Sequence, residues 1–95
     1  MTSKERAYLK KMALDMPAIY QVGKAIITPE LTNGIDEALE ARELIKINVL
    51  KNCMDTPKNI ANVLAERTKA EVVQVIGRKI ILYRKPKDNK SKYFK

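Results

Sequence analysis

Near the start of the chain, Leu9, Met12 and Ala13 recur at helical spacing, with Lys10 and Lys11 turned to other faces. That pattern predicts a helix over residues 3–14. Ser3 is its candidate cap, although Arg6 rather than an acid stands three residues on. Pro17 interrupts, and residues 18–22 read as a short buried strand. Thr28-Pro29 then combines a capping side chain with proline at the first helical position. Leu31, Ile35, Ala38 and Leu39 form the apolar stripe of this second helix, and Asp36, Glu37, Glu40 and Glu43 are expected on its outside. Gly34 weakens it by ~1 kcal/mol relative to alanine.

The period then changes to two. Residues 44–50, LIKINVL, alternate so that Ile45, Ile47 and Val49 share one face of a strand. Thr56-Pro57 opens a third helix with the stripe Ile60, Val63 and Leu64. Residues 72–76 and 80–83 are two further strands, joined so closely at Gly77-Arg78 that a hairpin is the simplest connection. The predicted order is α-β-α-β-α-β-β: one α/β domain with a mixed four-stranded sheet packed with helices. Each strand–helix–strand unit implies a parallel crossover, and the hairpin adds an antiparallel neighbour. Residues 1–85 form the expected domain. Residues 86–95 lack apolar periodicity and are expected to be a mobile basic tail.

Composition narrows the chemistry. With no histidine and one cysteine, a histidine-based acid/base pair, a catalytic triad and a structural zinc site are all out of reach. The lone Cys53 excludes an internal disulfide and suits a reducing cytosol. No apolar stretch approaches the ~20 residues that span a bilayer, and the mixed-charge start does not resemble a signal peptide. A non-enzymatic, cytoplasmic protein without metal or cofactor is therefore expected.

The net charge of +8 is unevenly placed. Residues 1–27 carry five bases against two acids, residues 28–71 six against eight, and residues 72–95 eight against Asp88 alone. If the two basic ends meet in the fold, they make a cationic face for which nucleic acid is the obvious counter-surface. An anionic membrane or an acidic protein would also complement it.

Two readings stand for Gly23-Lys24, placed between a strand and a helix: a plain turn, or a loop through which backbone and lysine approach a phosphate. The first helix adds Lys4, Arg6, Lys10 and Lys11. Arg78 and Lys79 at the hairpin, and Arg84, Lys85 and Lys87 after the last strand, form a block suited to neutralising phosphates. A solvated surface explains such charges as well. Tyr8, Tyr20 and Tyr83 are expected to be packed rather than to stack on bases.

Four segments together, RAYLKKMA at 6–13, QVGK at 21–24, IDEALEARELIKINVL at 35–50 and VVQVIGRKIILYR at 72–84, resemble the CRM domain. This is the chloroplast RNA splicing and ribosome maturation module, here in its stand-alone bacterial, YhbY-like form. The resemblance implies an RNA-binding fold similar to the C-terminal domain of a bacterial translation initiation factor. It also implies association with precursors of the large ribosomal subunit. The family's GxxG loop corresponds to Gly23, Lys24, Ala25 and Ile26, so isoleucine stands where the family has its second glycine. The expected RNA-contacting set is those four residues with Lys4, Arg6, Lys10, Lys11, Arg84 and Lys85. The expected partner of the monomer is large-subunit ribosomal RNA or its precursor particle. An adaptor docking on acidic ribosomal or assembly proteins is the alternative.

Overall fold

Three threonine-capped helices and four strands alternate along the chain. A computed structural model of the protein describes residues 1–23, 27–88 and 90–94. The elements are α1 (Ser3–Ala13), β1 (Tyr20–Val22), α2 (Pro29–Arg42), β2 (Leu44–Val49), α3 (Pro57–Thr68), β3 (Glu71–Ile76) and β4 (Lys79–Tyr83). Thr28 and Thr56 cap α2 and α3, each accepting the amide three residues on, with proline following as expected. At α1 the cap is Thr2 rather than Ser3. Thr2 and Glu5 form a reciprocal capping box, which the reading from Ser3 misplaced by one residue.

The sheet order is β1-β2-β4-β3, with β1 parallel to β2 and β4 antiparallel to both its neighbours. The expected single α/β domain with a mixed four-stranded sheet is therefore the one observed. Placing β4 between β2 and β3 explains why residues 80–83 are a continuous apolar run: all four are buried, because both faces of this strand are covered. On one face, α2 and α3 enclose the main core, in which Ile35, Leu39, Ile60 and Leu64 meet Ile45, Ile47, Ile80 and Leu82. On the other, Leu9 and Ala13 of α1 pack on Leu44, Val73, Ile81 and Tyr83. Met12, expected in the α1 stripe, is instead 43% exposed, because α1 lies across only part of this face.

Glu43 also departs from expectation. It is not on the outside of α2 but fully buried, as the single residue between α2 and β2, with φ of 71°. The chain reverses there within one residue, and the left-handed backbone turns the side chain inward. Its carboxylate accepts the Tyr83 hydroxyl at 2.8 Å, the Lys92 amide at 2.7 Å and the Ser91 hydroxyl. Packing therefore does not end at residue 85. Residues 91–94 fold back over α1, and the Phe94 ring meets Tyr83 edge-on at 5.5 Å and Tyr8 at 5.7 Å. The anchor for this segment is a buried acid some fifty positions earlier, which local periodicity does not reveal.

Candidate nucleic-acid interface

Lysine, arginine and glycine gather at one end of the sheet for topological reasons. The parallel strands β1 and β2 both finish there, and the β3–β4 turn closes beside them: the Val49 amide donates to the Arg78 carbonyl at 2.7 Å. Gly77 takes a φ of 57° at that turn, a conformation glycine adopts without strain. Gly23 follows β1 directly. A Cβ there would stand 3.3 Å from the Leu50 side chain and 3.8 Å from Asn52 Oδ1, so glycine lets the end of β1 lie against residues 50–52. Arg78 reaches back to the Leu50 carbonyl at 3.2 Å. Gly23, Lys51, Asn52 and Arg78 thus share one rim. Lys24, Ala25 and Ile26, expected to carry the contact, lie outside the described residues.

Adjoining this rim is a groove of about 400 Å³ between the C-terminal end of α1 and the uncovered part of the sheet. Its floor is Ala13, Ile76 and Ile81, and Lys10, Lys11, Lys46 and Lys79 border it. Each lysine is placed by its element. Lys10 and Lys11 occupy the last turn of α1, where cations complement the helix dipole. Lys46 Nζ donates to the Leu14 carbonyl at the α1 terminus at 3.3 Å. Lys79 Nζ donates to Asn48 Oδ1 at 2.7 Å, and this pair joins the groove to the loop rim. No salt bridge holds any of these four lysines among the described residues.

The remaining expected contacts are placed differently. Arg6 donates to the carbonyls of Val72 and Val73, where a bulge in β3 interrupts the ladder and frees them. Arg84, with a side chain only 12% exposed, is held by Asp36, Glu40 and the Thr68 carbonyl. The Arg84 guanidinium beside Asp36 holds that carboxyl below its usual range. Both arginines are engaged in holding elements together. Lys4 lies with Glu5, Tyr8 and the Tyr93–Phe94 segment, and Lys85 with Glu5 and Glu71, at the other end of the sheet. The structure therefore brings Gly23, Lys10 and Lys11 toward one end and separates them from Lys4, Arg6, Arg84 and Lys85. Lys46 and Lys51 were not foreseen. The signal for Lys46 was its place in the alternation, opposite the apolar Ile45, Ile47 and Val49.

Among the described residues, no group of three histidine, cysteine, aspartate or glutamate side chains is placed to hold a metal ion. No described helix is long and apolar enough to cross a membrane.

A mixed sheet with helices on both faces, with Gly23 and a lysine-bordered groove at one end, defines a small α/β binding module. The chain belongs to the CRS1 / YhbY (CRM) domain family, whose description it matches over residues 1–84. It is 40% identical over 90 residues to the probable RNA-binding protein YqeI of Bacillus subtilis, covering 95% of this chain and 94% of that protein. It is 31% identical to an RNA-binding protein of Haemophilus influenzae, covering 95% of this chain and 91% of the relative. The solution structure of the hypothetical protein SAV1595 from Staphylococcus aureus superposes with a TM-score of 0.79 at 44% identity, covering 95% and 94% of the two chains.

Proposed function

We propose that the protein is a non-catalytic RNA-binding module. In this reading the RNA is large-subunit ribosomal RNA or its precursor particle, met in the cytoplasm by a monomer that assists subunit assembly. The observation that carries it is the convergence of Lys10, Lys11, Lys46 and Lys79 on one groove that continues into the Gly23–Arg78 rim. Four cations in no ion pair among the described residues are suited to neutralising successive phosphates, and such contacts fix position along the backbone without reading sequence. Family membership and the names of the relatives support RNA as the polyanion. The term for large-subunit assembly rests on the resemblance to stand-alone CRM proteins.

The test is fluorescence anisotropy with a protein-free ribosomal RNA transcript over a series of salt concentrations. The double variant Lys10→Glu/Lys11→Glu is expected to weaken binding about tenfold or more and to lower the salt slope by roughly 2, about one per phosphate contact. Lys24→Glu tests the loop in the same assay. Arg84→Met is expected to lower stability and leave the slope unchanged. Unaltered affinity and slope in the double variant would remove the groove from the interface. Binding to intact particles but not to free RNA would favour the adaptor reading.

A further inference from the structure

The lysine-bordered groove has a floor that phosphates do not need. Ala13 and Ile81 at its base are buried in the second core, and the apolar surface open to water is at its edge, where Ile76 is 58% exposed although it ends a strand. Leu14, beside it, is 74% exposed. A surface built only to grip a sugar-phosphate backbone gains nothing from apolar side chains left open to water. Among the cations they instead make an amphipathic slot, charged around the border and apolar within. Gln74 also lines it. The Gln74 amide has no hydrogen-bond partner among the described residues, so its donor and acceptor are both free at the floor.

Resting on the reading of this end as an RNA interface, we propose that the groove takes one unpaired nucleobase. The base lies on Ile76 and Leu14, its edge meets the Gln74 amide, and Lys10, Lys11, Lys46 and Lys79 hold the flanking phosphates. The chemistry of each part matches one part of a nucleotide. A base extruded from its stack is held between apolar surfaces and read along its hydrogen-bonding edge. A side-chain amide offers both a donor and an acceptor to that edge. A cavity of about 400 Å³ is at the lower end of the range for small-ligand sites, room for one base rather than a stacked run. Paired bases in a continuous helix cannot reach the floor, so the preferred substrate is RNA with a bulge, loop or frayed end.

The experiment compares two RNAs of equal length, one fully paired and one with a single-nucleotide bulge, against the wild-type protein and the variants Gln74→Ala and Ile76→Ser. Both positions lie on solvent-accessible parts of β3, and circular dichroism with thermal melting checks that the variants fold. The wild type is expected to bind the bulged RNA about tenfold or more tightly than the duplex. Each variant is expected to lose most of that preference while keeping duplex affinity and salt slope. A 4-thiouridine at the bulge should cross-link to β3 or to the end of α1.

Equal binding of the two RNAs by the wild type overturns the inference and leaves the broader RNA reading intact. So does a preference that survives both variants. An acidic, apolar peptide that fills the groove without displacing RNA assigns it to a protein partner and overturns the inference as well. Failure of the broader reading looks different: neither RNA binds, or Lys10→Glu/Lys11→Glu changes nothing.

Discussion

Arginine and lysine divide the positive charge of this protein by chemistry. Arg6 and Arg84 use planar, multiply donating heads to satisfy clusters of carbonyls and carboxylates, which a lysine does poorly. The lysines of the groove keep a mobile point charge in water. Local spacing cannot show this division, because the acceptors of Arg84 lie 16, 44 and 48 residues away. Tyr83 offers a direct test of the tail side. Burial, then its hydrogen bond to Glu43, raises its hydroxyl to about 12 from an ordinary 10.0. Because the folded value is raised, the linked stabilisation is fully present below pH 10 and is lost as pH rises through about 12. In absorbance titrations of wild type and Tyr83→Phe, the transition near pH 12 should be missing from the variant. The stability difference between the two proteins should shrink over the same alkaline range. A Tyr83 that ionises at the ordinary value would contradict its placement against Glu43.

At the scale of elements, the threonine-proline starts and the change from helical to alternating period made α2, α3 and the order of strands legible. The cap of α1 is Thr2, at capping-box spacing from Glu5, and the neighbouring Ser3 is an equally good capping residue type, so residue type alone does not choose between them. Lys46 was legible in principle from the alternation of β2. Its meeting with Lys10 and Lys11 was not, since it depends on how α1 crosses the sheet. Gly34 illustrates the same limit. By propensity alone, alanine there should stabilise α2 by ~1 kcal/mol. In the fold, a Cβ at this position would lie 2.6 Å from the Tyr20 hydroxyl and 3.1 Å from Cζ of its ring. Gly34→Ala is therefore expected to destabilise by ~1–2 kcal/mol in denaturant unfolding, the usual cost of overpacking. In a Tyr20→Phe background the loss should be clearly smaller. A stabilising Gly34→Ala would mean that α2 and β1 can separate without cost.

For the molecule as a whole, charge and packing are segregated along the sheet. One end carries lysines bordering an open groove, while the other closes around Glu43 with Tyr83, Ser91 and the Lys92 amide. Deleting residues 90–95 removes two of the three donors to that carboxylate and the Phe94 ring from Tyr8 and Tyr83. The loss is expected to be ~1–2 kcal/mol, or several degrees in Tm, in calorimetry at neutral pH. RNA affinity should change little, because the groove is at the far end. An unchanged Tm would show that the segment adds nothing to the fold.

The position of β4 bears on how the chain is made. The last of the four strands to be made lies inside the sheet, between β2 and β3. Until it emerges, those two strands have nothing between them, and the apolar sides of the helices have half a platform to settle on. Synthesis from the amino terminus therefore withholds the finished sheet until β4 has been made. A truncated product that stops short of β4 would be left with open strand edges, ready for degradation or for pairing with the wrong neighbour.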